Sequence, residues 1–426
     1  LKELQIPESI MVKKALGVGF IGGGFVAQFH IRSWVGVRNA DINGIVAKTT
    51  AEAEQAAALI RTLDLGEGKI YKNITEMVAD PGIDAIWICA PNFTRVEIME
   101  EIAHAVLSGR GKLIGVACEK PLGRNVREAQ AMVDLAKKAG LLDGYLENQI
   151  FSPTVIRGRE IVWKRGASAT GRPYLARASE EHAGPHMPWF WEGELQGGGV
   201  LNDMMCHSVE TARYLLTPPG APRNVLIPKK VTAYTNCLKW QRPPYARHLA
   251  EYSQGKLDYT NRPSEDFARS LIEYHDQDGH QVVVETTTSW CFVGAGLRLS
   301  MELLGPEYSM QVNTLDTGLK VFFSREVAGR SGEDLVEKQN AEMGLMPVVA
   351  NEGNEYGYDI EDRHMVEAFL AGKRPEETFE DGLEVTKLLM TAYMSAEQEK
   401  VIPFPPPGIS EYIPPVARGQ WNPGKK

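Results

Sequence analysis

The sequence predicts an α/β protein: a doubly wound parallel sheet in the N-terminal third, then a second α/β domain on a large, mostly antiparallel open sheet. Two observations predict it. Up to residue 147, short apolar runs alternate with segments whose apolar residues recur at helical spacing. Beyond residue 150 the rhythm changes to long stretches of alternating apolar and polar residues, the pattern of a sheet covered on one face.

In chain order, residues 15–21 are a short apolar run that reads as a buried strand. The turn Gly22-Gly23-Gly24-Phe25-Val26-Ala27 follows at once, and a helix is expected over 28–37. Strands are then expected over 40–47, 83–89, 112–118 and 141–147, and helices over 50–60, 94–107 and 125–139. Asn125, with Glu128 three residues on, is a plausible cap for the last of these. In the second half a helix is expected over 153–164 and a strand over 172–181. An irregular loop, 182–199, leads to a helix over 201–216. Long alternating strands are expected over 230–239, 267–275, 281–289 and 297–304, with 310–313 and 318–323 as continuations. Residues 330–355 form a polar excursion, and helices close the domain over 359–371 and 382–399. The resulting division is an arm (1–14), a dinucleotide-binding domain (15–147), a second domain (148–400) whose final helices can return to the first, and a proline-rich tail (401–426). Proline density argues against any regular element in that tail. It either crosses a neighbouring surface or stays in solvent.

Composition narrows the function. The formal net charge is −9 and no basic block is present, which disfavours nucleic acid and anionic membranes as partners. Five scattered cysteines without C-x-x-C spacing indicate neither a disulfide framework nor a thiolate metal site. No stretch approaches a membrane span and residues 1–14 lack a signal-like apolar core, so a cytoplasmic location is expected.

The chemistry starts at the first turn. Gly22, Gly24 and Ala27 fill the G-x-G-x-x-A spacing between strand and helix. The first glycine allows the tight turn, the second lets backbone approach a pyrophosphate, and the alanine lets the helix lie close to the sheet. Unpaired N–H groups at the helix N-terminus then face the phosphates. Further on, Cys118-Glu119-Lys120-Pro121 follows a strand directly, and ligands of open sheets bind at such strand ends. The Lys120 ammonium could steady a developing alkoxide or, with a depressed pKa, take a proton. The alternative is a surface salt bridge with Glu119. Asp203 and His207 share a helical face, with Glu210 a turn further on, so an acid–base pair is open to them; so is a plain cap by Asn202 or Asp203. Gly197-Gly198-Gly199 before them lets backbone come close to something. His182 and His186 flank Gly184-Pro185, which favours substrate-loop or structural roles over a metal, and no metal is expected. Trp189, Phe190 and Trp191 either stack on a sugar ring or pack over the sheet.

These residues carry a family resemblance. The chain resembles the Gfo/Idh/MocA oxidoreductases, over about residues 15 to 400. Gly22 to Ala27 with His30 is similar to the family's opening motif, and Ala90-Pro91-Asn92 to the loop beside the nicotinamide. Glu119-Lys120-Pro121 is similar to its most specific signature, and Gly198-Gly199 with Asp203 and His207 to its G-G…D-x-x-x-H segment. The resemblance implies an N-terminal Rossmann domain, a second domain whose open sheet packs in oligomers, and Lys120 and His207 at the nicotinamide. It implies that Asp203 fixes substrate and that Asn148 lines its pocket. Two departures stand out. Arg95 occupies a position where histidine is common, and Val46-Ala47-Lys48-Thr49 lacks the acid that usually holds the adenosine ribose.

The expectation is an NAD(P)-dependent oxidoreductase acting on a hydroxyl carbon of a cyclic polyol, sugar or glycoside. The alternatives are a redox-assisted lyase or glycosidase that retains NAD, and an inactive nucleotide-binding sensor or partner subunit. Lys120, His207 and Asp203 are the catalytic candidates. Gly22, Gly24, Phe25, Val26, Ala27, Lys48, Thr49, Pro91, Asn92, Glu119 and Lys120 are the cofactor candidates. Asn148, His182, His186, Trp189, Trp191, Asp203 and His207 are the substrate candidates. NAD is the expected cofactor, with NADP tolerated because nothing acidic opposes its phosphate. A homodimer or homotetramer is expected.

Overall fold

A computed structural model describes residues 15–326, 335–339 and 341–425. The expected arm, 1–14, and part of the polar excursion lie outside the described residues.

The first sheet has the strand order β3-β2-β1-β4-β5-β6, and every pairing in it is parallel. Its strands are β1 (Leu16–Ile21), β2 (Ala40–Val46), β3 (Lys69–Ile70), β4 (Ala85–Ile88), β5 (Gly115–Glu119) and β6 (Leu142–Leu146). The helices between them are α1 (Phe25–Ser33), α2 (Thr50–Thr62), α3 (Ile74–Val78), α4 (Arg95–Leu107) and α5 (Val126–Ala139). All of β1 is buried, as a strand covered by helices on both faces must be. Helix α1 begins at Phe25, three residues earlier than expected, so the glycine turn feeds it directly. The Asn125 side chain accepts from the Glu128 N–H, so the expected cap of α5 is formed. Neither β3 nor α3 was legible, since two and five residues are too short to show a period.

After β6 come α6 (Pro153–Ile161), a π-helical turn at residues 162–167, and α7 (Ser168–Thr170). Then follow β7 (Leu175–Glu181), α8 (Gly193–Gln196), α9 (Val200–Leu216), β8 (Ile227–Asn236) and α10 (Pro243–Tyr252). Strands β9 (Phe267–His275), β10 (Gln281–Ser289), β11 (Arg298–Leu304) and β12 (Ser309–Asn313) complete most of a second sheet. Its order is β12-β11-β7-β10-β9-β8, closed beyond β8 by a two-residue edge strand, Ile402–Pro403, with β7 and β10 parallel and the other pairs antiparallel. Helix α9 covers one face over β7 and β10. Arg177, Arg269, Glu285 and Glu302 carry ion pairs on strands β7, β9, β10 and β11, at exposed or half-buried positions.

Two expectations are corrected here. Residues 319–323 do not continue this sheet: β13 (Leu319–Phe323) pairs with β14 (Gly344–Val348) as a separate ribbon. The tail also contains a regular element. Ile402–Pro403 forms β15 on the edge of β8, where a proline costs no ladder bond toward a further strand. The tail then folds back on its own chain: Ile409 and Val416 are buried, and the Tyr412 hydroxyl donates to Glu397.

Helices α11 (Glu352–Glu355), α12 (Tyr358–Leu370) and α13 (Phe379–Gln398) follow the ribbon. Helix α12 packs against α1, and Phe369 meets Trp87 of β4 edge to face. Phe20, Trp34 and Trp87 complete this aromatic core beneath the glycine turn.

Candidate active site

The first turn is built to let a ligand in. Gly22 has φ +111, and a Cβ there would stand 2.8 Å from the Cys89 carbonyl oxygen, so only glycine fits. A Cβ at Gly24 would meet nothing within 4 Å, so that side of the turn is open. Gly24 caps α1 without a side-chain hydrogen bond, and the first turn carries no acidic residue. The N–H groups of Phe25, Val26 and Ala27 therefore begin a helix whose positive end is free for a phosphate. Ala27 is fully buried and brings the helix down on the sheet. This geometry fits a dinucleotide pyrophosphate.

Lys120 leaves the end of β5. Its ammonium donates to the Asp203 backbone carbonyl at 3.0 Å and stands 3.5 Å from Asp203 Oδ1. Burial pushes its pKa down, but Asp203 and the surrounding acidic groups more than offset that and hold it above the ordinary lysine range. Lys120 is thus a fixed cation, which removes the option of a depressed pKa. Its partner is Asp203, and the alternative of a surface bridge to Glu119 is not what forms. Glu119 is buried on the other side of the strand, where Oε1 lies 2.9 Å from His30 Nε2. The other ring nitrogen of His30 meets Asp362 of α12 at 2.9 Å. Side-chain alternation along β5 sends Glu119 into the core and Lys120 into the cleft. Glu119 therefore ties α1 to the strand and is no cofactor contact through its carboxylate.

His207 also has an unforeseen partner. Its Nδ1 lies 2.6 Å from Glu147 Oε1, at the end of β6, and its Nε2 lies 3.9 Å from Glu180 Oε2, near the end of β7. Gln149 fixes Glu180 by donating at 2.8 Å. With a carboxylate on Nδ1, that nitrogen carries the proton and Nε2 is the acceptor. Burial lowers the His207 pKa, but Glu147 and Glu180 outweigh it and hold it above the ordinary histidine value. Burial likewise raises the Glu180 carboxyl, against the pull of His207 and Lys120.

Asp203 and His207 thus share a face of α9, yet each pairs with another element. Glu210 belongs to a buried ion cluster with Arg213 and Arg223 and takes no part in the site. Neither Asn202 nor Asp203 caps the helix. Glu265 Oε1 does so, accepting from Gly199 N at 2.8 Å, Leu201 N at 3.2 Å and the Tyr393 hydroxyl at 2.5 Å. The glycine pair makes room for those groups: a Cβ on Gly198 would stand 1.9 Å from the Tyr393 hydroxyl, and one on Gly199 2.4 Å from the Glu265 carbonyl oxygen.

The remaining candidates divide. Pro91 caps the short turn at Asn92–Thr94, and the Asn92 amide donates to the Gln196 carbonyl at 2.9 Å. Arg95 donates to the Ala90 carbonyl at 2.9 Å and closely to those of Glu119 and Pro121, stitching the two loops together. Lys48 is exposed, and Thr49 caps α2 by accepting from Glu52 N at 3.2 Å. Asn148 is buried and spends its amide on the Tyr356 carbonyl. His182 accepts from Gly184 N, and burial drives its pKa far below the usual value. Trp189 stacks on Phe190 and meets Phe93 edge to face. Trp191 is 2% exposed among Trp240, Tyr259 and Trp290. A ring enclosed in that cluster packs the loop on the sheet and cannot stack on a sugar.

Comparison with known proteins agrees with this geometry. Residues 16–144 match the oxidoreductase family with an NAD-binding Rossmann fold, and residues 166–310 match the GFO/IDH/MocA C-terminal domain. The chain belongs to the Gfo/Idh/MocA oxidoreductase family. Levoglucosan dehydrogenase of Pseudarthrobacter phenanthrenivorans is 27% identical over 409 residues, 92% of this chain and 98% of that one. The match to 1,5-anhydro-D-fructose reductase of Ensifer adhaerens is 30% identical over 206 residues, 48% of this chain and 57% of that enzyme. Among solved structures, GenD2 from gentamicin A biosynthesis in complex with NAD superposes with a TM-score of 0.71 at 22% identity, covering 92% of this chain and 97% of that one. The complex of levoglucosan dehydrogenase with NADH and levoglucosan gives 0.66 at 22% identity, covering 92% and 99%. At these identities the structures establish a common fold. Among the described residues no helix is long and apolar enough to cross a membrane.

Proposed function

We propose that this Gfo/Idh/MocA protein is an NAD(P)-dependent dehydrogenase of a sugar, polyol or glycoside, with His207 as the base and Lys120 as the electrostatic partner. One observation carries the assignment: Glu147 occupies His207 Nδ1, leaving Nε2 to accept a proton, while the neighbouring Asp203 holds the Lys120 ammonium. Bound NAD, held at the turn Gly22 to Ala27, supplies the hydride acceptor. His207 takes the hydroxyl proton, Lys120 stabilises the developing alkoxide, and Asp203 orients Lys120. The names of relatives such as levoglucosan dehydrogenase and myo-inositol 2-dehydrogenase support a carbohydrate substrate. The open Gly24 turn supports NAD, and the absence of an acid at residues 46–49 supports tolerance of NADP.

The experiment is a panel of sugars, polyols and glycosides assayed with NAD and NADP, following reduced nicotinamide alongside product. Stoichiometric accumulation of reduced cofactor with product supports the dehydrogenase. Product without net reduced cofactor replaces it by a redox-assisted lyase or glycosidase. Tight cofactor binding with no product across the panel replaces it by a sensor or partner subunit.

We also infer a homodimer or homotetramer paired through the face of the second sheet opposite α9, which exposes Tyr234 and Leu271 beside its ion pairs. Light scattering at micromolar concentration that gives only the 47.1 kDa monomer overturns this. The five cysteines are free thiols, in keeping with a reducing compartment such as the cytoplasm.

A further inference from the structure

We propose that Lys338 is an anion-recognising residue of the cleft, placed to hold either the pyrophosphate of the dinucleotide or a carboxylate on the sugar. The inference rests on the dehydrogenase reading above.

Lys338 lies in a short turn, residues 335–339, that is firmly attached. Leu335 N donates to Gln339 Oε1 at 2.7 Å, and Gln339 N to the Val336 carbonyl at 3.2 Å. Leu297 N, next to β11, donates to the Glu337 carbonyl at 2.9 Å. Val336 is buried and packs on Gly296, where a Cβ would stand 2.3 Å from its Cγ2. Lys338 itself has φ 59, a left-handed conformation that costs a side-chain-bearing residue energy and suits glycine or asparagine better.

The turn carries the ammonium to the cofactor helix. Lys338 Nζ stands 2.9 Å from His186 Nδ1 and 5.8 Å from the centre of the Phe25 ring. Phe25 is the first residue of α1, directly after the open Gly24, and its ring is half exposed. His186 packs edge-on against that same ring, with centroids 4.7 Å apart. Three groups from three separate segments thus converge beside the free N–H groups of the helix.

Charge decides what the group is for. Among the described residues no carboxylate oxygen lies within ion-pair distance of Lys338 Nζ. Its partner is an imidazole, and burial together with Lys338 itself brings the His186 pKa down to about 4, so that ring is neutral and its Nδ1 accepts a hydrogen bond from the ammonium. Burial also lowers the Lys338 pKa, against the pull of Glu337 and Asp203. Among the described residues the direct partner of this half-buried cation is a neutral ring rather than a carboxylate, and an anionic oxygen completes such a cation better than a neutral hydroxyl. Pyrophosphate and sugar carboxylate both offer that chemistry.

The test is calorimetry on the full chain, wild type against Lys338→Met and Lys338→Arg. The probes are ADP-ribose and NADH, then D-glucuronate and D-glucose added to the NADH complex. If Lys338 holds the pyrophosphate, Lys338→Met weakens ADP-ribose and NADH about ten- to a hundredfold, the range for a lost charge-assisted bond, and Lys338→Arg restores most of it. If it holds a substrate carboxylate, the same loss falls on D-glucuronate alone and D-glucose is untouched. Either pattern supports the proposal and identifies the source of the anion. Changes below about twofold for all four probes, or equal losses for D-glucose and D-glucuronate with cofactor binding intact, overturn it. The dehydrogenase reading fails separately, by the absence of turnover in the wild-type panel, which leaves the cofactor titrations readable.

Discussion

Glu147 and His207, sixty positions apart in sequence, meet as a buried carboxylate–imidazole pair 2.6 Å apart. The carboxylate fixes the tautomer and raises the basicity of the ring that faces the cleft. Glu147→Gln keeps an oxygen for Nδ1–H to donate to but removes the charge. Burial and Lys120, which both push the His207 pKa down, then prevail. For hydroxyl oxidation the neutral ring is the active form, so activity rises as pH climbs through its pKa. The expected outcome is an acid limb shifted to lower pH, with kcat reduced about a hundredfold because the imidazolium loses its stabilising charge. A pH–rate profile checks this, and an unmoved limb would take the base role away from His207.

Lys120 is expected to behave differently. It stays protonated over the whole working range, so its loss removes charge stabilisation and no titration. Lys120→Met should lower kcat/KM at least about a hundredfold while the acid limb of the profile keeps its position. Cofactor affinity, measured by fluorescence titration, should survive. Disappearance of the limb in Lys120→Met would instead make Lys120 the proton acceptor.

Much of this was legible because it is local. The strand, the Gly22–Ala27 turn and Lys120 at a strand end lie within contiguous residues, and Asp203 and His207 are one helical turn apart. The partners were not, because tertiary contacts supply them: Glu147 for His207, Glu265 for the cap of α9 and Arg95 across the two loops. Glu147 and Glu180 do stand at strand ends, and that position is the signal that would have found them. The Glu119 carboxylate meets His30 because adjacent residues on a strand face opposite ways, and that partner lies 89 positions away in sequence, beyond any local pattern. Trp191 was ambiguous because its burial depends on Trp240 and Trp290, far along the chain. The pairing of β13 with β14 spans the polar excursion, where no hairpin signal joins them.

Glu265 links stability to pH. Burial raises its pKa from 4.5 to about 7, only partly offset by the bonds from Tyr393, Gly199 and Leu201. Between those values the folded protein keeps a proton that the unfolded chain has released. Stability therefore falls as pH rises through this window, by about 3 kcal/mol in total for this one group. All three hydrogen bonds go to Oε1, so Glu265→Gln preserves them without the charge. The variant should match wild type near pH 4.5, exceed it increasingly up to about pH 7, and hold that margin above it. Denaturant unfolding of both proteins across that range gives the difference curve, and a flat one contradicts the assignment.

The end of β2 is the expected place for the choice between NAD and NADP to be made. Ala47 lies beside the glycine turn, since a Cβ at Gly23 would stand 3.3 Å from the Ala47 Cβ. An acid here would accept from the ribose hydroxyls and repel a 2′-phosphate, but the chain offers exposed Lys48 and Thr49 instead. Thr49 already uses its hydroxyl to accept from Glu52 N, so it serves α2 first. Thr49→Ala is accordingly expected to cost about 1 kcal/mol of stability, as a lost cap does, with little change in cofactor preference. Lys48 has the charge and the exposure to meet a phosphate. Lys48→Glu should weaken NADP at least about tenfold, by exchanging attraction for repulsion, and leave NAD within about threefold or slightly improved. Dissociation constants for both oxidised cofactors, at fixed salt, decide the matter. Equal losses for NAD and NADP would mean that Lys48 does not face the ribose, and that the side chains which discriminate the two cofactors lie elsewhere around the turn.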